Sequence, residues 1–388
     1  MSRPHRHRRE QEDESPSSGL RVRPQEQLLI DAAAELPAGR LLCNTSGRGQ
    51  FARAYAEAHP SGHATCWFLD LYQRDQAERE SRGLRTEGLG TERETEFSYV
   101  RPSALSPQRF AVTYVCTADP PGENYDVVAW SCSERGDGEL TRDLLQAGHQ
   151  RLRIDGRFVA SIDNPSDQWL HEELQKLFPK VTRRPLETGV LYLATKTARL
   201  PKVKSFDAEF AFRDQGRLIF ACSRPGVFSH RHIDPGARAL INTMCIERRQ
   251  RVLDLGCGAG VVGLAALCRA DDVRVLAVDS NPRALQCAER GAKRNELAGL
   301  ETSLDATGES VPPNAFDVVC ANPPYYSHYK IAELFLQIAH RSLKLRGTVY
   351  VVTKTPDWFA EHMPAYFSHV EPQPVKSYWV VTGHKRAV

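Results

Sequence analysis

Two tandem α/β domains, each built on a mainly parallel, doubly wound sheet, are what this sequence predicts. Three observations carry that expectation. Between residues 250 and 355, short apolar runs alternate with segments of helical spacing, the pattern of strands joined by crossover helices. A glycine-rich turn separates the first such run from the first such helix. The chain also repeats itself. YDVVAWSCSERGDGELTRDLLQAGHQRLRIDGRFVAS, from Tyr125, lies without a gap beneath FDVVCANPPYYSHYKIAELFLQIAHRSLKLRGTVYVV, from Phe316, and matches Asp126 to Asp317, His149 to His340 and Gly156 to Gly347.

Taken in order, residues 1–20 are polar, Ser-rich and charged, and are expected to form a disordered tail. Its Arg3, Arg6, Arg8 and Arg9 leave an RNA-touching arm as the alternative. Residues 21–197 make the first copy, with an exposed, charged insertion at 79–96. ARLPKVKSF, residues 198–206, reads as a linker, and 207–388 make the second copy. There, 251–255 is a strand, 261–269 a helix, 273–278 a strand ending at Asp279, and 282–295 a helix with Pro282 in its first turn. Residues 316–321 form a strand and 330–343 a helix. Gly347 ends that unit and 348–353 form a further strand. The repeat covers these elements. RLLCNTSGRG from Arg40 lies under RVLDLGCGAG from Arg251, and Asp70 lies under Asp279. Trp169 and VLYLATK lie under Trp358 and WVVTGHK. Trp358 and Trp379 read as core or strand residues.

Composition narrows the function classes. A length of 388 residues favours two domains, and 41% hydrophobic with 26% charged residues suits a soluble globular chain. The net charge of +3 gives no global positive field. No apolar run reaches bilayer length and the basic N-terminus is not followed by an apolar segment, so neither a membrane span nor a secretory leader is expected. Ten scattered cysteines without a CxxC pair fit reduced thiols in a cytoplasmic protein. A monomer is favoured.

The chemistry gathers in the second copy. Asp254-Leu255-Gly256-Cys257-Gly258-Ala259-Gly260 joins a strand to a helix, where glycines allow close approach and the helix start offers free amides. Pyrophosphate-binding loops space their glycines G-x-G-x-x-G; here the spacing is G-x-G-x-G, with an acid two residues ahead. That acid suits an ammonium group, and S-adenosylmethionine carries both an ammonium and a carboxylate at its amino-acid end. Asp279 ends the next strand and can accept from ribose hydroxyls, or cap the following helix. Asp305 can reach an adenine amine, or serve its own loop.

Asn322-Pro323-Pro324-Tyr325 is the sharpest signal. It follows an apolar strand, at the end where such sheets bind ligands. The lone pair of an exocyclic amine on a base is delocalised into the ring. The Asn amide oxygen and a carbonyl held by the prolines can accept from that amine and turn its lone pair towards a methyl donor. Tyr325 offers a face on which a base can stack. His230-Arg231-His232 lacks partner ligands at metal-binding spacing, so no metal is expected. His149 and His340, shared by both copies, read as fold residues.

DLGCGAG, the acidic strand end and NPPY in this order resemble the class I, Rossmann-like S-adenosylmethionine-dependent methyltransferases that act on amino groups. GVFSHRHIDPGAR, 226–238, is similar to the segment before the glycine loop in the RsmC/RlmG type, the ribosomal RNA guanine-N2 methyltransferases with a degenerate first domain and a catalytic second one. The family commonly has Phe where this chain has Tyr325. The resemblance implies a cofactor site of Asp254, Gly256, Cys257, Gly258, Gly260, Asp279, Ser280, Asp305 and Asn322, with Asp234 shaping the pocket or capping a helix. It implies that Asn322, Pro323, Pro324 and Tyr325 hold the guanine. The expected substrate is structured ribosomal RNA, small-subunit RNA foremost, naked or in a subunit, with the first domain extending the RNA-gripping surface. Methylation of adenine N6 or of a protein glutamine is the alternative within the chemistry. A non-catalytic RNA-binding or ribosome-assembly protein is the alternative outside it.

Overall fold

The computed structural model describes residues 22–83, 111–324 and 329–386. The 1–20 tail, residues 84–96 of the expected insertion and Tyr325 lie outside the described residues. The start of that insertion, 79–81, is the last turn of a helix.

The first copy contains β1 (Arg40–Cys43), β2 (His63–Phe68), β3 (Val112–Cys116), β4 (Tyr125–Cys132), β5 (Leu152–Ile162), β6 (Val181–Leu186) and β7 (Gly189–Thr195). Its helices are α1 (Pro24–Ala32), α2 (Gln50–Ala58), α3 (Leu71–Ser81), α4 (Gly138–Arg151) and α5 (Trp169–Gln175). A hairpin of β8 (Ala208–Asp214) and β9 (Arg217–Ser223) comes next. The second copy then runs α6 (Pro235–Thr243), β10 (Arg251–Leu255), α7 (Val261–Arg269), β11 (Arg274–Asp279), α8 (Pro282–Arg294), β12 (Leu300–Leu304), β13 (Phe316–Ala321), α9 (Lys330–Ser342), β14 (Leu343–Thr353), α10 (Pro356–His362), β15 (Phe367–Val375) and β16 (Tyr378–Lys385). The sheet orders are β3-β2-β1-β4-β5-β7-β6 and β12-β11-β10-β13-β14-β16-β15, the same topology twice. Within these two sheets, among the described residues, only β7 and β16 run against their neighbours.

Alternation along the central strands builds the second core. Val252, Val318, Cys320 and Val352 pack on one face of the sheet, while Leu253, Val319, Ala321 and Val351 pack on the other. Covering both faces is why these strands read as nearly continuous apolar runs.

Gly347 does not end the helical unit, as its spacing had suggested. The helix stops at Ser342, and β14 begins at Leu343 with a bulge, because Phe316 pairs with Leu343 but Val318 pairs with Thr348. Arg346 turns at φ 65°, and a side chain at Gly347 would come within 2.9 Å of the Lys344 carbonyl oxygen. The first copy has the same bulge between Leu152 and Arg157, with Asp155 at φ 62° before Gly156. Asp126 and Asp317 likewise do one job twice. Each accepts from the backbone of the first strand, at Arg40 and Arg251, at 2.8 Å, and each pairs with a cation, Arg153 or Lys344. His149 and His340 close their helices against aromatic rings, and burial lowers the pKa of both, His149 to about 4. Trp358 lies on α10 rather than on a strand, sandwiched between Tyr329 and His362.

The copies meet through opposite charges. Arg224 pairs with Asp119, Arg231 with Glu139 and Arg283 with Asp143, each arginine coming from the second copy. Ser280 Oγ donates to Asp70 Oδ2 at 2.7 Å, so the ends of the two equivalent strands β2 and β11 touch.

Candidate active site

The chain leaves β10 towards β11 on one side and returns to β13 on the other, so the carboxyl ends of β10 and β13 border a switch point. The glycine loop begins there. Gly256 and Gly258 have φ of 71° and 53°, which L side chains avoid. Gly256 and Cys257 both donate to the Val278 carbonyl, at 2.8 and 3.0 Å, and Gly258 N–H donates to Asp279 Oδ2 at 2.8 Å. The loop is thus stitched to the end of β11. Gly260, at φ 74°, starts α7, and a Cβ there would stand 2.6 Å from Ala288 Cβ.

Asp254 closes the back of the loop. It is buried, and its Oδ2 accepts from Gly263 N–H in the first turn of α7 at 2.8 Å. Its other oxygen meets no protein donor among the described residues. Burial pushes this carboxyl up to about 7; the Gly263 bond works against the rise and the Asp279 charge adds to it.

Asp254, Gly256, Cys257 and Gly258 line a cavity together with Asn322 from the end of β13. It offers about 420 Å³ of room, counted through its open mouth. Pro323 and Pro324 continue from Asn322. Of the other expected site residues, Gly260, Asp279, Ser280 and Asp305 are not among those that line the cavity. Gly260 serves the helix start. Ser280 is committed to Asp70. Asp279 accepts from the amides of Gly258 and Asn281 and borders the loop, while the cap of α8 is Asn281, which accepts from Arg283 N–H at 2.9 Å, so the capping role open to Asp279 falls to its neighbour. Asp305 uses both oxygens within its own turn, on the amides of Thr307, Gly308 and Ser310 at 2.8, 2.7 and 2.6 Å. Burial acts to raise the Asp305 pKa, but the bonds from Ser310 and these amides outweigh it and hold the carboxyl low.

Phe228, Ser229 and His232 also line the cavity, with Ala237 and Leu240 of α6; sequence reasoning notes 226–238 only for its family resemblance, His232 only within a metal candidate, and Leu240 not at all. Phe228 is 67% exposed. A lone aromatic within the polar run GVFSHRHID, without periodic partners, was the signal available. His230 turns away, with Nδ1 2.8 Å from Ser223 Oγ and Nε2 3.1 Å from Glu139. Among the described residues, no group of three His, Cys, Asp or Glu side chains is placed to hold a metal.

The equivalent crevice of the first copy is filled by its own side chains. Ser131 stands where Asn322 stands, and its N–H and carbonyl are bridged by the Asn44 amide at 2.7 and 3.0 Å. Glu26 of α1 is buried and accepts from Thr45 Oγ1, Ser46 N–H and Phe51 N–H. Its carboxylate is thus bound by the turn and helix start that follow β1. In the second copy the matching residue is Ala237, and the cavity is open.

This sheet order, with a glycine loop after the first strand, an acid ending the second and Asn-Pro-Pro ending the fourth, defines the class I methyltransferase fold, here duplicated. Residues 219–382 match the family described as the methyltransferase small domain. Ribosomal RNA small subunit methyltransferase C of Marinomonas sp. is 32% identical over 147 residues, 35% of this chain and 41% of that protein. Ribosomal RNA large subunit methyltransferase G of Klebsiella pneumoniae is 27% identical over 197 residues, 47% of this chain and 51% of that protein. The chain thus spans about half the length, or less, of these curated relatives. Among solved structures, a T. thermophilus 16S rRNA N2 methyltransferase (RsmC), in complex with AdoMet and guanosine, shares the fold over 92% of both chains, with a TM-score of 0.68 at 18% identity. Residues 219–382 thus carry a methyltransferase small domain, and the chain is similar in sequence and fold to methyltransferases of the RsmC/RlmG type.

Proposed function

We propose that the second copy methylates the exocyclic N2 of a guanine in ribosomal RNA, with S-adenosylmethionine as cofactor. The observation that carries this reading is the meeting of Asp254, the glycine loop and Asn322 at one cavity on the switch point. The residues fit the cofactor. Asp254 has an oxygen free for an ammonium, the loop is unobstructed where the first copy holds Glu26, and each Asp279 oxygen keeps a lone pair for a ribose hydroxyl. When bound, the cofactor supplies an electrophilic methyl on a sulfonium. Asn322 Oδ1 accepts from the guanine amine and directs its lone pair into the cavity. Pro323 and Pro324 bring no N–H to compete for the carbonyls at the strand end. Tyr325 stacks on the base.

The proposal extends to the whole chain: residues 21–197 and 207–388 as domains joined by 198–206, acting as a cytoplasmic monomer on structured RNA. Among the described residues, no helix is long and apolar enough to cross a membrane. The relatives are named for both ribosomal subunits, so small-subunit RNA is the first substrate to test. Nucleoside mass spectrometry of RNA treated with protein and cofactor is expected to show N2-methylguanosine. Methyladenosine as the product would overturn the reading.

Cofactor affinity is expected to depend on pH. In the open cavity Asp254 ionises near 7, whereas an ammonium partner favours its charged form. Binding below pH 7 therefore releases a proton, and affinity should rise by about tenfold per pH unit before levelling above pH 7. The neighbouring Cys257 and Cys320 thiols, pushed up by burial, stay protonated throughout. Without cofactor the linkage has the opposite sense for stability. The unfolded carboxyl ionises near 3.8 and the folded one near 7, so stability falls as pH rises between these values. Calorimetric titration from acid to mildly alkaline pH checks this, and Asp254→Asn should flatten the affinity profile. A flat wild-type profile would refute the assignment.

A further inference from the structure

We propose that Asp234 is a positioning residue that fixes which end of the Asn322 amide faces the substrate; this rests on the reading of Asn322 given above. Asp234 is the N-cap of α6, and its Oδ2 accepts from Ala237 N–H at 2.8 Å. The same oxygen accepts from Asn322 Nδ2 at 2.9 Å, across 88 residues of sequence. A carboxylate only accepts hydrogen bonds. Flipping the amide would set Asn322 Oδ1 against Asp234 Oδ2, oxygen on oxygen. The amide nitrogen is thereby tied to Asp234, and Oδ1 is left for an incoming amine. Both side chains line the cavity. Gly236 completes the arrangement, because a Cβ there would lie 2.8 Å from Asp234 Oδ2 and 3.3 Å from Asn322 Oδ1.

The first copy shows that the fold itself does not demand this acid. There, α1 also starts on a proline, Pro24, but Arg23 precedes it and no side chain caps the helix. Ser131 occupies the place of Asn322, with no amide to orient. The acid at the helix start is found in the copy that carries the asparagine.

Without Asp234, Asn322 is free to present its NH₂ to the guanine amine, donor against donor, and the reacting nitrogen loses its guide. Asp234→Ser separates this role from capping. Serine caps a helix about as well as aspartate, but its hydroxyl is too short to hold Asn322 while capping. The expected result is a fall in kcat on the order of 10²-fold, with cofactor Kd and melting temperature unchanged. Asp234→Asn retains an oxygen able to accept from both partners and should recover most of the loss. In an Asn322→Ala background, Asp234→Ser should cost nothing more, since it acts through the missing amide. A second readout needs no activity. In protein labelled with ¹⁵N-asparagine, the Asn322 side-chain pair, identified by its absence in Asn322→Ala, should shift and exchange faster in Asp234→Ser. Equal kcat losses in both backgrounds, or an unmoved amide pair, would overturn the proposal. A wild-type protein that methylates no guanine would instead reject the function, and the amide spectrum would still report whether Asp234 holds Asn322.

Discussion

Asn322→Ala is expected to lower methyl-transfer turnover by about 10²- to 10³-fold, the loss typical when one preorganised polar group at a reacting centre is removed. Cofactor affinity should hardly change. The groups assigned to the amino-acid end of the cofactor, Asp254 and the glycine loop, belong to β10 and the turn after it, and their hydrogen bonds run to α7 and β11 without involving Asn322. Stability should hardly change either, because the substitution releases Asp234, which retains its bond to Ala237. Single-turnover rates on ribosomal RNA, with calorimetric cofactor titration beside them, separate these effects. A variant that turns over like the wild type would end the case for Asn322 as the acceptor. One that loses cofactor binding in proportion to rate would move the residue from the substrate to the cofactor.

The sequence made the strands of the second sheet legible because burial on both faces leaves little choice of residue. β10, α7 and β13 fall on their expected bounds. The glycine loop was legible for a similar reason, since its backbone turns where only glycine is at ease. What the sequence could not separate were residues whose local patterns serve two ends. Ser280 follows an acid at a strand end, as a cofactor ligand or a cap would, and its commitment to Asp70 depends on a surface 210 residues away in the chain. Asp305 resembles a ligand acid until its turn closes on both oxygens. Gly347 reads as a helix stop because a bulge glycine and a C-terminal glycine leave the same mark. The filled crevice of the first copy was half visible. The lost motif showed in the sequence, whereas Glu26 reaching the loop from α1 is a tertiary event without a local signature.

Arg283→Ala should be the most destabilising of the substitutions considered. Arg283 is 0% exposed, follows the Asp279 strand end in the first turn of α8, and reaches into the first copy. Its guanidinium donates to the carbonyls of Ala118 and Pro225 at 2.7 and 2.8 Å and lies 2.8 Å from Asp143 Oδ2. Alanine leaves these acceptors facing a void. Breaking a buried pair by removing one partner costs about 3–5 kcal/mol. The lower end applies here, because Asp143 retains 23% side-chain exposure and can turn to water. The damage should also reach the cofactor. Asn281 caps α8, donates to the Gly226 carbonyl and fixes the Asp279 carboxylate, all within one turn of Arg283. Denaturant unfolding is expected to show the lost stability, and titration of the still-folded variant to show weaker cofactor binding. A loss below about 1 kcal/mol, the worth of a surface pair, would mean that the buried arginine is not a strut between the copies. Full stability loss with undiminished affinity would mean that the first copy supports the second without shaping its site.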